Sequence, residues 1–170
     1  MPLRTPRFIA RTRRSHALEH ATIHLLNRLL PTTPLAGLST PYGFYILGHA
    51  STADVQSAAN EALLRLQRGE RHLAIHPRCG TNIVTAGMLV GFVLFLATLP
   101  GDRRARRERL PFVLLLSTLT LMVVQPLGAV VQESVTVDPN QPGTQIARIE
   151  KRMAGQVPVH LVRLSQTNEA

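Results

Sequence analysis

Two long runs without a single charge dominate what this chain can fold into: Ile83 to Leu99, and Leu110 to Val131, the second broken only by Ser, Thr, Gln125 and two prolines. A hydrocarbon core of about 30 Å is crossed by roughly 20 apolar residues in helix, with about 17 as the lower limit, so both runs qualify and the first is short. Two such helices buried in a soluble core would need apolar partners on every side, and 170 residues leave too little other sequence to supply them. The expectation is a transmembrane hairpin of two spans.

Between the spans, Gly101 to Arg109 carries five arginines. Short Arg-rich loops stay cytoplasmic. The amino-terminal segment is as basic, with Arg4, Arg7, Arg11, Arg13 and Arg14, and a two-span hairpin puts it on the other side, so the two signals oppose each other and orientation stays open. No apolar stretch follows the basic amino terminus in the manner of a secretory signal, which leaves the first span to act as its own membrane signal. The net charge of +9 is almost wholly arginine, which suits anionic headgroups. Aromatic residues for base stacking are scarce and no recognition motif accompanies the charge, so nucleic acid is not an expected partner. The lipid bilayer is, together with a membrane protein partner. The single cysteine allows no internal disulfide.

The rest reads as a small α+β domain. Residues 1–14 form a basic tail; 15–82 an αβαβ part; 83–131 the hairpin, with its Arg-rich loop at 101–109; 132–164 a βαβ part; and 165–170 a tail. Ser15 is a good N-cap for a helix that Pro31 stops. Residues 31–41 read as loop, Gly43 to Gly48 as strand, and Ser51 caps a second helix running to Arg68, closed by Gly69. His72 to His76 alternates like a short strand. Beyond the second span, 135–137 reads as strand, Thr144 to Met153 as helix and Val157 to Leu164 as strand. An even number of spans returns the chain to the side it left, so both parts can share one layer, and a ferredoxin-like order is the topology this suggests, preceded by the first helix.

That first helix carries the chemistry. His16, Glu19 and His20 follow the order H-x-x-E-H, and residues four apart lie roughly 40° apart around a helix and residues three apart roughly 60°, so the three side chains can converge on one ion. Two imidazoles one turn apart suit zinc, and a catalytic site adds a third protein ligand and leaves a position for water. The second polar cluster, His76-Pro77-Arg78-Cys79-Gly80-Thr81-Asn82, offers either Cys79 or His76. His24 has drifted by roughly 80° from His16, which fits a supporting role behind the ligands. Glu19 would accept a proton from water activated by the metal. Arg78 reads as an interfacial anchor, Gly87 and Gly91 as a close-packing pair between the spans, and His49, His72 and His160 receive no role. The chemistry expected of such a set is hydrolysis of an amide or ester near the bilayer. The alternative is a non-catalytic membrane subunit or assembly factor, with a structural metal or cofactor site or none.

His16-Ala-Leu-Glu19-His20-Ala-Thr-Ile23, followed by an αβ stretch and by His76-Pro-Arg-Cys79-Gly-Thr81 at the start of an apolar run, resembles an uncharacterised membrane family, a domain-of-unknown-function group. Both motifs are also similar to those of the YqhQ-type predicted metal-dependent membrane enzymes. The resemblance covers Ser15 to Leu99 and implies metal-dependent chemistry for His16, Glu19, His20, His76 and Cys79. Inverted zinc peptidases resemble the chain only through H-x-x-E-H, because none of Glu61, Glu70, Glu133 and Glu150 sits in the downstream helical motif that supplies their third ligand.

Overall fold

The computed structural model describes residues 6–76, 79–98 and 103–166. The chain divides into two compact units, one made of residues up to His76 together with those from Thr136 onward, the other of residues 77–135.

The first unit is α+β. Helix α1 (Arg7–Leu29) leads into the hairpin β1 (Ala36–Thr40) and β2 (Gly43–Leu47); helix α2 (Thr52–Gln67) and a 3₁₀ turn (Arg71–Ala74) follow, and β3 (Thr144–Ala154) and β4 (Val157–Gln166) close the unit. The sheet is antiparallel throughout, in the order β1-β2-β4-β3, with β2 and β4 joining the two hairpins. Segments from before and after the apolar region thus build one sheet, as expected. A ferredoxin-like order is not what they build: the unit holds two joined hairpins, because the segment expected as its second helix is β3.

The misreading has a physical cause. Ile146 and Ile149 both pack on the core, a three-residue spacing that imitates a helix. The register of β3 against β4 shifts between Ile146 and Arg148, and a bulge there turns the strand so that residues three apart share a face. Four further expectations change. Helix α1 begins at Arg7 instead of Ser15, so residues 7–14 are helical and Ser15 is fully buried within the helix. Residues 36–40, expected as loop, are an edge strand. His72 to His76 and residues 135–137 are not strands, since the first falls largely in the 3₁₀ turn and the second begins within a π-helical turn, Gln132–Thr136. Helix α2 matches its reading, with Ser51 Oγ accepting the Asp54 N–H as a cap.

The core lies between one face of the sheet and the helices. Ala17, Leu18, Ala21 and Leu26 of α1, Val55, Ala59, Ala62 and Leu66 of α2, Phe44 and Ile46 of β2, Val162 of β4 and Leu73 of the 3₁₀ turn are all buried in one cluster. The amino-terminal half of α1 is held by its own arginines. Arg13 Nη2 donates to the Val137 carbonyl at 3.0 Å, and Arg14 pairs with Asp138 at 3.5 Å.

The second unit holds α3 (Gly80–Thr98) and α4 (Arg103–Val131), which pack on each other. Helix α3 is long and apolar enough to cross a membrane. Helix α4 contains Pro111 and Pro126 and bends by 45° between Arg107–Val124 and Pro126–Thr136, as an interior proline demands. Gly87 and Gly91 do not bring the two helices together, since a Cβ at either would meet only open space. Close approach occurs instead at Gly128, where a side chain would overlap Asn82. Asn82 Oδ1 also accepts a hydrogen bond of 2.7 Å from Gln132 Nε2.

Candidate metal centre

Helix α1 sets His16 and His20 one turn apart, and their rings stand edge to face with centroids 4.2 Å apart. Both are aimed by backbone. His20 Nδ1 lies 2.7 Å from the Ala74 carbonyl oxygen, and His16 Nδ1 lies 3.0 Å from that of Thr136. A carbonyl oxygen can only accept, so each Nδ1 carries a proton, and in the neutral ring the electron pair then lies on Nε2. This is the tautomer a metal-binding histidine needs, fixed by the outer hydrogen bond that commonly accompanies ligation. One ring nitrogen of each histidine lies within 4.8 Å of one on the other. Two nitrogens at zinc-ligand distances of about 2.0 to 2.1 Å in a tetrahedron stand roughly 3.4 Å apart, the separation a shared ion would require of the pair. His76 extends the row, its ring centroid 5.9 Å from that of His20.

Glu19 points to a different neighbour. It is 5% exposed, and its Oε2 accepts a hydrogen bond of 2.5 Å from Ser39 Oγ on β1. The carboxylate lies over Gly37, where even a methyl group would collide with it. Neither Ser39 nor Gly37 was marked by the sequence, because both sit in a stretch that reads as loop. His24 also has its own surroundings. It is half-buried, and burial first, then repulsion from Arg28, His72 and Arg65, holds its pKa below the ordinary histidine value.

Cys79 belongs to the second unit, immediately before α3. Its sulfur accepts the Thr81 N–H at 3.4 Å, and its carbonyl accepts the Asn82 N–H, so it caps the first turn of that helix. Pro77 and Arg78 lie outside the described residues. Of the histidines without an expected role, His160 is fully buried in the sheet and shares a 3.1 Å hydrogen bond through Nε2 with Thr52 Oγ1 at the start of α2.

Comparison with known proteins gives a family and no activity. The chain is 43% identical over 93 residues to an uncharacterised protein of Picosynechococcus sp., an alignment that covers 46% of this chain and 45% of that relative. The chain thus matches less than half the length of that curated relative. No solved structure matches. The sequence profile of the family described as Domain of unknown function (DUF6391) matches residues 11–149. That match takes in the histidine helix, the His-Pro-Arg-Cys segment and both apolar helices, and the chain accordingly belongs to this family.

Proposed function

We propose that this protein is an integral membrane protein of two spans that holds a divalent metal, most suitably zinc, through His16 and His20, with His76 or Cys79 as third ligand. One observation carries the metal reading: two histidines a turn apart are both fixed as Nδ1–H tautomers by backbone carbonyls, so that both present Nε2 electron pairs to one region. His76 stands beside His20 in the same unit. Cys79 follows three residues later, which limits its Cα to roughly 11 Å from that of His76. A helix amino terminus and an N–H aimed at its sulfur favour a thiolate donor there.

The membrane reading rests on α3, which passes the length and composition required of a span, and on α4, whose Phe112, Leu114, Leu115 and Met122 are exposed. Zinc in such a site supplies a Lewis acid and lowers the pKa of bound water. Hydrolysis of an amide or ester near the bilayer is the chemistry this supports, with Glu19 taking up the proton. The Ser39 bond and the Gly37 contact favour a second reading, in which Glu19 fastens α1 to β1 and the metal is structural, in a non-catalytic subunit or assembly factor.

Elemental analysis of purified protein tests the site. One zinc per chain is expected for the wild type, with loss in His20→Ala; a metal-free wild type defeats the proposal. Cobalt replacement then assigns the third ligand, because a thiolate-to-cobalt charge-transfer band present in the wild type and absent in Cys79→Ser identifies the cysteine, whereas metal lost in His76→Ala without such a band identifies the histidine. Glu19→Gln separates the two readings: retained metal with lost cellular function indicates catalysis, and retained metal with retained function the structural role. Resistance to alkaline carbonate extraction is expected of the spans, and release into the soluble fraction overturns them.

A further inference from the structure

The face of the sheet turned away from α1 and α2 carries a charge arrangement that neither fold nor metal site explains. Phe44, Ile46 and Val162 face the core, so Tyr45, Leu161 and Arg163, one residue out of step, face the other way. Beyond its bulge β3 puts Arg148, Glu150 and Arg152 on that same face, with Arg148 directly opposite Arg163 and Glu150 opposite Leu161. Like charges placed opposite each other on neighbouring strands repel. A single carboxylate draws the three arginines together. Glu150 Oε1 receives Arg148 Nε at 2.7 Å and Arg163 Nε at 3.0 Å, and Oε2 receives Arg152 Nη2 at 2.9 Å.

Three guanidiniums on one carboxylate leave two positive charges unbalanced within the cluster. The side chains of Arg148 and Arg152 are each 62% exposed and that of Arg163 is 39% exposed, so the cluster opens to solvent. A guanidinium carries five N–H donors in a fixed fork, and these bonds to Glu150 use one nitrogen of each. Charged side chains on an edge strand protect it against pairing with other chains, which would account for Arg148 and Arg152. It does not account for Arg163, which lies on β4, paired on both sides. Nor does protection need convergence on one point. The geometry of several guanidinium forks around a single anion is the one that binds tetrahedral oxyanions.

We propose that Arg148, Arg152 and Arg163 form a binding site for a phosphate oxyanion, carried by the headgroup of an anionic lipid or by a free phosphate, with Glu150 as the internal anion that competes with the ligand for the forks. Leu38, exposed on the same face and in one cross-strand row with Tyr45, Leu161 and Glu150, adds apolar surface beside the charges. The proposal rests on neither the metal site nor the membrane spans.

Full-length protein in zwitterionic detergent is titrated with inorganic phosphate by calorimetry at low salt, and separately offered phosphatidylglycerol against phosphatidylcholine, with bound lipid counted by native mass spectrometry. Binding of either anion is expected, and which of the two binds identifies the source. Arg148→Gln with Arg152→Gln should weaken binding about a hundredfold, since each charge-assisted bond removed is worth about a factor of ten. Glu150→Gln should tighten it several-fold, because the competing anion is gone. The paired Lys replacements keep the charge and lose the fork, should fall between, and carry the test if the Gln pair does not fold. Binding of neither anion overturns the proposal, as do equal affinity in the arginine variants and weaker affinity in Glu150→Gln.

Discussion

The two units place their apolar and polar side chains in opposite ways. In the unit of α1, α2 and the sheet, Phe44, Leu18, Leu26 and Ile46 are fully buried, while the arginine cluster of β3 and β4 faces water. In the unit of α3 and α4, Ile83, Met88, Phe92, Phe112 and Leu114 are exposed, and the fully buried Gln132 is hydrogen-bonded to Asn82. Apolar burial drives the first arrangement. The second is what the proposed membrane reading calls for, since in hydrocarbon the association of helices depends on close approach at small residues and on hydrogen bonds between helices. Gly128 against Asn82 provides the first and Asn82 with Gln132 the second. The lesson is that, on the proposed membrane reading, one chain uses the same residue types for inverted purposes, and an exposed leucine carries a different meaning in each unit.

The contrast can be broken most directly with two phenylalanines. Phe44→Ala empties a sealed core and should cost about 3 to 5 kcal/mol in chemical unfolding followed by circular dichroism. Phe92→Ala in α3 should stay within about 0.5 kcal/mol in detergent. Comparable losses at the two positions would show that α3 packs like an ordinary core helix. Next comes Gly37→Ala, which thrusts a methyl group into the Glu19 carboxylate and should destabilise the first unit by about 1 to 3 kcal/mol. Much of that loss should vanish in a Glu19→Ala background, and a purely additive double mutant would rule out the contact as its cause. Asn82→Ala removes the acceptor of Gln132 and should cost about 1 kcal/mol by detergent unfolding, the modest figure found for hydrogen bonds between membrane helices. A larger loss would argue for a water-type core around this pair.

The smallest effect is on pH. Burial first, then Lys151, holds the His160 pKa below 6.5. The unfolded chain therefore binds the proton more readily, so the contribution of His160 to stability is complete above pH about 6.5 and is lost as pH falls below it. Unfolding midpoints measured from pH 7.5 to 5 should drop, and His160→Gln should flatten the drop; an unchanged slope would assign the acid sensitivity to other groups, His24 foremost.

Legibility in the sequence followed the same divide between local and distant causes. Helix α2 was readable because its cap, its apolar spacing and its terminal glycine are all local. Strand β3 was not, since the bulge that gives it a helical spacing is set by its pairing with β4. The start of α1 was hidden by arginines, which sit poorly with the positive end of a helix dipole and find their partners in Val137 and Asp138, more than a hundred residues away. At the site, the histidines were plain from spacing alone. Ser39 and Gly37, the groups that decide where Glu19 goes, were not, because nothing in a Pro-, Thr- and Gly-rich stretch announces a strand.

The carbonyl oxygens of Ala74 and Thr136, which aim His20 and His16, belong to the main chain. What orients the rings is therefore independent of residue type at 74 and 136 so long as the backbone path is kept. Substitutions at these two positions should therefore leave both rings in place, and the site's finest adjustment, the lean of each ring, follows from how tightly the 3₁₀ turn and the chain leading to β3 are wound.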